Sequence, residues 1–396
     1  MHKQYFFEAG VFPELSLTEL FAVLESFNIR KDIVQKFSDT IFLVKDEKIT
    51  DILFENLFKR LGGFVRAGYI VDDLDSFLSE YQQGGKKVVF GITILGENRR
   101  DDLKFLKKLG HEIKSGLKES GVSSRFVLPI RKSVSLNAAQ VIKNDILEKG
   151  FELNIIRNGN EEIYGKTLYV QDLEGFVNRD IDRPNSDTKM GVLPPKLARM
   201  MVNFTGLRDG IVWDPFCGSG TIPMEAAMIG FNVLGSDIDS LAVASTDENI
   251  RWLNRDGEIK DILYETFIFD VTKPDAEIVK KLRNTNISAI VCEPFMGPPQ
   301  RSVMSTVRAD ELLEEVKKLY RSLFDLIDNR LEKRGIRVVI VVPSYKTYDG
   351  WRTFGISELV SNRWILKNTY YSPNKQLKWF RKDSIITRNI FILERS

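Results

Sequence analysis

Cysteine and histidine are nearly missing: Cys217, Cys292, His2 and His111 are the whole supply in 396 residues. That scarcity excludes a disulfide framework and a histidine-rich metal site. No stretch approaches the roughly 18 consecutive apolar residues that span a bilayer, so no membrane segment is expected. The N-terminal MHKQYFFEAGVF lacks the apolar core of a signal peptide, and a cytoplasmic location is the expectation. A large net charge is missing too: 57 Lys+Arg against 55 Asp+Glu leave +2. What remains is ordinary for a globular chain, with 43% hydrophobic and 28% charged residues. Its length suits two or three domains with full cores.

The charge is unevenly placed. Lys86 to Lys132 holds twelve Lys/Arg against five acids, and Arg363 to Arg388 holds seven against Asp383 alone. Trp364, Tyr370, Tyr371, Trp379 and Phe380 lie among the latter. Basic stretches with aromatics suit a polyanion that also offers flat bases, whereas each lysine taken singly reads as a solvated face.

The first eighty residues mix short apolar runs (YFFEAGVF, TIFLVK) with helical patterns (LTELFAVLESF, DILFENLFKRL), which predicts a small α+β unit. After a break at Gln82–Gly85, KKVVFGITIL predicts a strand. Leu103, Leu106, Leu109, Ile113 and Leu117 then form one helical stripe. RFVLPIR, FELNIIRN and KTLYVQDL read as strands and AAQVIKNDILEK as a helix. The polar, Pro-containing NRDIDRPNSDTKM reads as a linker. Beyond it the strands GIVWDPF, FNVLGSD, YETFIFD, ISAIVCEP and IRVVIVVP alternate with helices TIPMEAAMIG and LAVASTDENIRWLN and a long one within Ser305–Lys333. Such alternation predicts an α/β, doubly wound parallel sheet. RWILKNTYY and TRNIFILE should add an antiparallel pair at one edge.

The turn in WDPFCGSGTIPMEAA asks what it binds. A Walker loop requires Lys-Ser/Thr after the last glycine, and Gly220 is followed by Thr-Ile-Pro. A dinucleotide fingerprint requires a third glycine where Pro223 stands. S-adenosylmethionine has no pyrophosphate, needs close backbone approach, and carries a carboxylate suited to a helix N-terminus. Asp214 at the strand end can accept from its ammonium group. Asp237 and Asp239, ending FNVLGSDID, can accept from ribose hydroxyls, and Asp270 from the adenine amine. Any one of these acids could instead cap a helix, as Asp often does. Acids at three successive strand ends exceed what capping explains.

The fourth strand ends in VCEPFMGPP. An exocyclic amine is a weak nucleophile because its lone pair is delocalised. Glu293, with a carbonyl fixed by Pro294, could accept its N–H bonds, and Phe295 could stack on a flipped base. The alternative is a Pro-Gly loop without chemical role.

Taken together, LPPKLARMMVNFTGL…WDPFCGSGTIPMEAAMIGFNVLGSDID resembles the THUMP-containing tRNA guanine-N2-methyltransferases, above all their guanosine-10 branch. GKTLYVQDLEGFVNRDIDRPNSD resembles the same branch, and GHEIKSGLKESGVSSRFVLP…LNAAQVIKN is similar to a THUMP domain. The resemblance implies a ferredoxin-like unit over 1–80, a THUMP domain over 81–175, a linker over 176–192 and a Rossmann-type methyltransferase domain with a seven-stranded mixed sheet over 193–396. It implies a cofactor loop at Asp214, Pro215, Phe216, Gly218, Ser219 and Gly220, a ribose acid at Asp237 beside Asp239, and an adenine-binding acid at Asp270. It implies tRNA as partner, no membrane, and a small activating subunit of the kind some relatives use. Where such enzymes carry Asp/Asn-Pro-Pro-aromatic, this chain has Glu293-Pro294-Phe295-Met296. The leading expectation is methyl transfer to a tRNA guanine N2. The alternatives are another RNA base, rRNA, an RNA-binding protein with an altered site, small-molecule or protein methylation, or cytosine-C5 chemistry through Cys292.

Overall fold

Alternation of apolar and polar side chains, and two long apolar runs, sort the chain into two sheets. The computed structural model describes residues 3–83, 87–130, 132–186, 192–259, 261–300, 302–368 and 376–396. His2, Gly84, Gly85, Lys86, Arg131, Tyr370, Tyr371 and residues 187–190 of the polar segment lie outside the described residues. Two compact units result: Met1–Ser16, Ile29–Lys59 and Gly63–Glu174 form the first, and Leu17–Asn28, Arg60–Gly62 and Gly175–Ser396 the second.

The first unit carries β1 (Tyr5–Ala9), β2 (Val34–Lys36), β3 (Ile41–Val44), β4 (Phe64–Val71), β5 (Val88–Gly96), β6 (Ser124–Val127), β7 (Gly150–Asn158) and β8 (Glu161–Val170). They form one sheet in the order β2-β3-β1-β4-β8-β7-β5-β6. Strands from both stretches, before and after the break near residue 84, share it through the antiparallel β4–β8 ladder. β5 is buried along almost its whole length, the reason for its unbroken apolar run. The stripe helix, Asp102–Glu119, buries Leu106, Ile113 and Leu117, and also Gly110, which lies against the Phe126 ring. AAQVIKNDILEK is not one helix. It breaks into Ala138–Lys143 and Ile146–Lys149 at Asp145, whose φ of 53° leaves the helical region.

A buried polar network crosses this sheet. Arg66 of β4 donates to Glu152 Oε1 (2.6 Å), Asn154 Oδ1 (3.1 Å) and the Leu136 carbonyl (2.6 Å). Thr93 and Thr167 donate to the two Glu152 oxygens at 2.5 and 2.6 Å. Burial pushes the neighbouring Glu8 carboxyl above its usual value, against the lowering pull of Arg66.

The second unit holds β9 (Ile211–Asp214), β10 (Asn232–Asp237), β11 (Tyr264–Ile268), β12 (Ile287–Cys292), β13 (Arg337–Thr347), β14 (Gly350–Arg352), β15 (Trp364–Leu366), β16 (Leu377–Trp379) and β17 (Ile386–Arg395). Seven run in the order β11-β10-β9-β12-β13-β17-β15, with β14 beside β13 and β16 beside β17. β9 to β13 are parallel neighbours, whereas β17 runs antiparallel to β13 and β15, the edge pair expected of the last two strands. Helices Thr221–Met228, Ser240–Arg255, Ala276–Asn284 and Thr306–Asp325 connect the parallel strands. The third escaped the sequence reading because its AEIVKKLRN has only Leu282 fully buried. Its start is set by Asp275, which accepts from the Glu277 and Ile278 amides. Trp213, Ile290, Tyr320, Phe324 and Ile340 centre the core.

Replacing Arg66 by Met leaves the buried Glu152 and the part-buried Glu8 without their shared cation. The expected loss is about 3–5 kcal/mol of stability, measured as a fall in the urea-unfolding midpoint.

Candidate functional site

Parallel pairing brings the C-terminal ends of β11, β10, β9 and β12 side by side, in that order. Asp214 closes β9 and Asp237 closes β10, while Asp270 and Glu293 follow β11 and β12. Four acids separated by up to 79 positions in sequence thus stand along one edge. This is the end of a doubly wound sheet where ligands bind.

The glycine turn is built over the β10 end. The Cys217 amide donates to the Ser236 carbonyl at 2.9 Å, and the Gly218 amide to Asp237 Oδ2 at 3.0 Å. Gly218 and Gly220 have φ of 52° and 86°, a region open to glycine. At Gly220 space is short as well, since a Cβ would lie 3.0 Å from Thr246 Oγ1. Thr246 donates to the Gly218 carbonyl (2.8 Å) and Asn249 to the Ser219 carbonyl (2.8 Å). Arg183 supports the turn from the other direction, donating to Thr221 Oγ1 (2.8 Å) and Ser219 Oγ (3.0 Å). Arg179 and Arg199 both donate to the fully buried Glu225, in the helix that the turn opens.

An open cavity of about 690 Å³ lies above these strand ends. Its wall includes Phe216, Gly218, Ser219, Asp237, Asp239, Asp270, Glu293 and Phe295, with Ile238, Leu241, Phe269 and Val271 as apolar surface. The size and the few polar groups on an apolar wall match a small-molecule site. Asp214, Pro215, Gly220 and Pro294 are buried and are not part of the wall. Asp214 accepts from the Phe216 amide at 3.0 Å. Burial, reinforced by Asp237 and Glu293, pushes its carboxyl well above the usual range. Asp214 therefore shapes the turn from beneath.

The other carboxylates differ in their surroundings. Asp237 accepts from the Gly218 and Asp239 amides, yet burial outweighs those bonds and its pKa is raised. Asp239 caps the Ser240–Arg255 helix through the Leu241 amide at 2.9 Å. Burial also raises Asp270, but the Thr272 amide and hydroxyl bonds bring it below its usual value. Acceptor-only carboxylates keep free lone pairs after two such bonds.

After β12 the chain turns through Glu293–Pro299. The Tyr345 hydroxyl donates to the Met296 carbonyl and pins the turn, and Gly297 has φ of 86°. Phe295 is 52% exposed, a bare ring beside the cavity. Glu293 is forked by Arg388 of β17, from Nε at 2.5 Å and from Nη2 at 3.2 Å. Thr246 and Asn249 carry no sequence signal, Arg183 reads only as part of a linker, and Arg388 only as one cation of a basic stretch. Cys292 is wholly buried with its thiol pushed up by desolvation, the opposite of what a thiolate nucleophile needs. No cluster of His, Cys, Asp and Glu among the described residues could hold a metal ion.

Residues 184–351 match the family described as RMKL-like, methyltransferase domain. A tRNA (guanine(10)-N2)-dimethyltransferase of Methanothermobacter thermautotrophicus is 29% identical over 52% of this chain and 50% of its own length. One from Methanocaldococcus jannaschii is 26% identical over 80% of this chain and 86% of its own. A tRNA (guanine(10)-N(2))-methyltransferase of Rattus norvegicus is 26% identical over 48% of this chain and 43% of its own. The alignments thus span about half the length of the first and third of these relatives, and most of the second.

Proposed function

We propose that the protein transfers a methyl group from S-adenosylmethionine to the exocyclic N2 of a guanosine in tRNA, at position 10 by analogy with the relatives. The observation that carries this reading is the ring of strand-end carboxylates and the glycine turn around one cavity, with Glu293 and the exposed Phe295 on its wall. The residues fit the cofactor. Gly218 and Ser219 give close backbone approach, Asp237 and Asp239 offer acceptors for ribose hydroxyls, and Asp270 offers one for an adenine amine. Ile238, Leu241 and Phe269 supply an apolar surface for a flat base. When bound, the cofactor supplies an electrophilic methyl group.

Glu293 accepts N–H bonds from the incoming amine and localises its lone pair, while the buried Pro294 stiffens the loop that carries it. Phe295 stacks on the base drawn from its helix. No strong base is required, because the methylated ammonium releases its proton readily to water. Positioning then supplies much of the rate. Residues 1–80 and 81–175 act in this reading as the ferredoxin-like unit and the THUMP domain that seize the tRNA in the cytoplasm. Support comes from the basic helix Asp102–Glu119, whose Lys104, Lys107, Lys108, Lys114 and Lys118 are solvent-facing or exposed. The activating subunit that the resemblance raises belongs to the reading without a residue assigned to it.

The decisive experiment incubates the protein with labelled cofactor and unmodified tRNA, then identifies the labelled nucleoside. N2-methyl- or N2,N2-dimethylguanosine is expected; label in rRNA alone would refute the tRNA assignment. Tight cofactor binding without turnover on any RNA would favour an RNA-binding protein with an altered site. Glu293→Ala should lower kcat on the order of 100-fold while cofactor affinity holds, because it removes an interaction made at the reacting amine.

Asp237→Ala should weaken cofactor binding about 10- to 100-fold, the loss of one or two hydrogen bonds to a charged acceptor, as read by calorimetry. The wild-type affinity should also fall as pH drops through the raised Asp237 pKa, since protonation removes the acceptor. The free carboxylate titrates above its usual 3.8, so the decline begins at higher pH than for an ordinary aspartate. An affinity unchanged between pH 7 and 4 would count against the assignment.

A further inference from the structure

Glu293 is a three-torsion side chain at the mouth of a loop, and left alone it would sample many rotamers. It does not stand alone. Arg388 Nε and Nη2 each take one carboxylate oxygen, at 2.5 and 3.2 Å, a fork that fixes the plane of the carboxylate as well as its position. Arg388 is itself held: it is 9% exposed, sits in β17 opposite Pro343 of β13, and its guanidinium lies 5.0 Å from the Trp379 ring centroid. Trp379 stands opposite Arg388 in the β16–β17 ladder, so ring and guanidinium are juxtaposed by strand pairing. Asp214, raised first by burial, is raised further by Asp237 and Glu293, and of these neighbours Glu293 is the one that the Arg388 guanidinium bonds.

We infer that Arg388, backed by Trp379, is a positioning residue for the proposed methyl transfer. It keeps the Glu293 carboxylate aimed at the cavity, and leaves each oxygen a lone pair for the amine N–H bonds. Trp379 thereby has a task inside the site: it braces Arg388. This inference rests on the methyltransferase reading above.

The test measures kcat, KM for tRNA and cofactor affinity for Arg388→Met, Arg388→Lys, Trp379→Leu, and Arg388→Met combined with Glu293→Gln. Arg388→Met should lower kcat on the order of 100-fold, the effect of a misplaced reacting group, with KM and cofactor affinity held. Arg388→Lys, which keeps the charge but loses the fork, should recover part of that loss. In the Glu293→Gln background Arg388→Met should cost nothing further, because the two act as one unit. A folded Arg388→Met with wild-type kcat overturns the inference, as does a full loss repeated in the Glu293→Gln background. Should Arg388→Met fail to fold, Trp379→Leu decides: a lowered kcat at unchanged cofactor affinity supports the role, and a wild-type kcat overturns it. Absence of transfer by the wild-type protein on every RNA refutes the methyltransferase reading itself, and equal transfer by wild type and Arg388→Met refutes this inference alone.

Discussion

The site depends on one contact, the hydrogen bond from the Gly218 amide to Asp237. Parallel pairing of β9 and β10 places Gly235 opposite Asp214, so Asp237 extends past the start of the turn that follows β9. The turn then folds back over this part-buried carboxylate and adds the Gly218 amide to the Asp239 amide it already accepts from. Two left-handed glycines make that path possible, and hydrogen bonds from Thr246, Asn249 and Arg183 hold it. The cofactor-loop side of the cavity is arranged around this closure.

The neighbouring acids show how one edge of a sheet can hold several carboxylates without uniform behaviour. Asp214 is deep and shifted strongly upward, Asp237 less so, and Asp270 is drawn downward by Thr272. Burial and donor count set these differences. The carboxylate nearest the proposed chemistry, Glu293, is the one given a full guanidinium.

Much of the second unit was legible because its signals are local. Apolar runs such as IRVVIVVP are strands buried on both faces, and GIVWD and FNVLGSD announce their acids within one element. The Ala276–Asn284 helix was hidden by a polar surface with one fully buried side chain, and β4 by an FVRAGYIV that lacks strict alternation. Within the site, the cofactor loop was readable from its glycines, and the cavity wall contains most of the acids singled out. Asp214 could not be told from a wall residue, since depth within a sheet is a tertiary property. Arg388 could not be found at all, because its partner lies 95 positions away and only β17 pairing across β13 joins them.

The arginines that precede the glycine turn have a practical corollary. Arg179 reaches the wholly buried Glu225 at 2.6 Å and lies 4.9 Å from the Phe176 ring centroid, while Arg183 grips Ser219 and Thr221. A shortened protein that began after this segment would strip a guanidinium from a carboxylate with no access to water and unbrace the turn it needs. A deletion series on the second unit therefore has to keep Phe176 to Arg183, and Leu17–Asn28 and Arg60–Gly62 belong to the same unit.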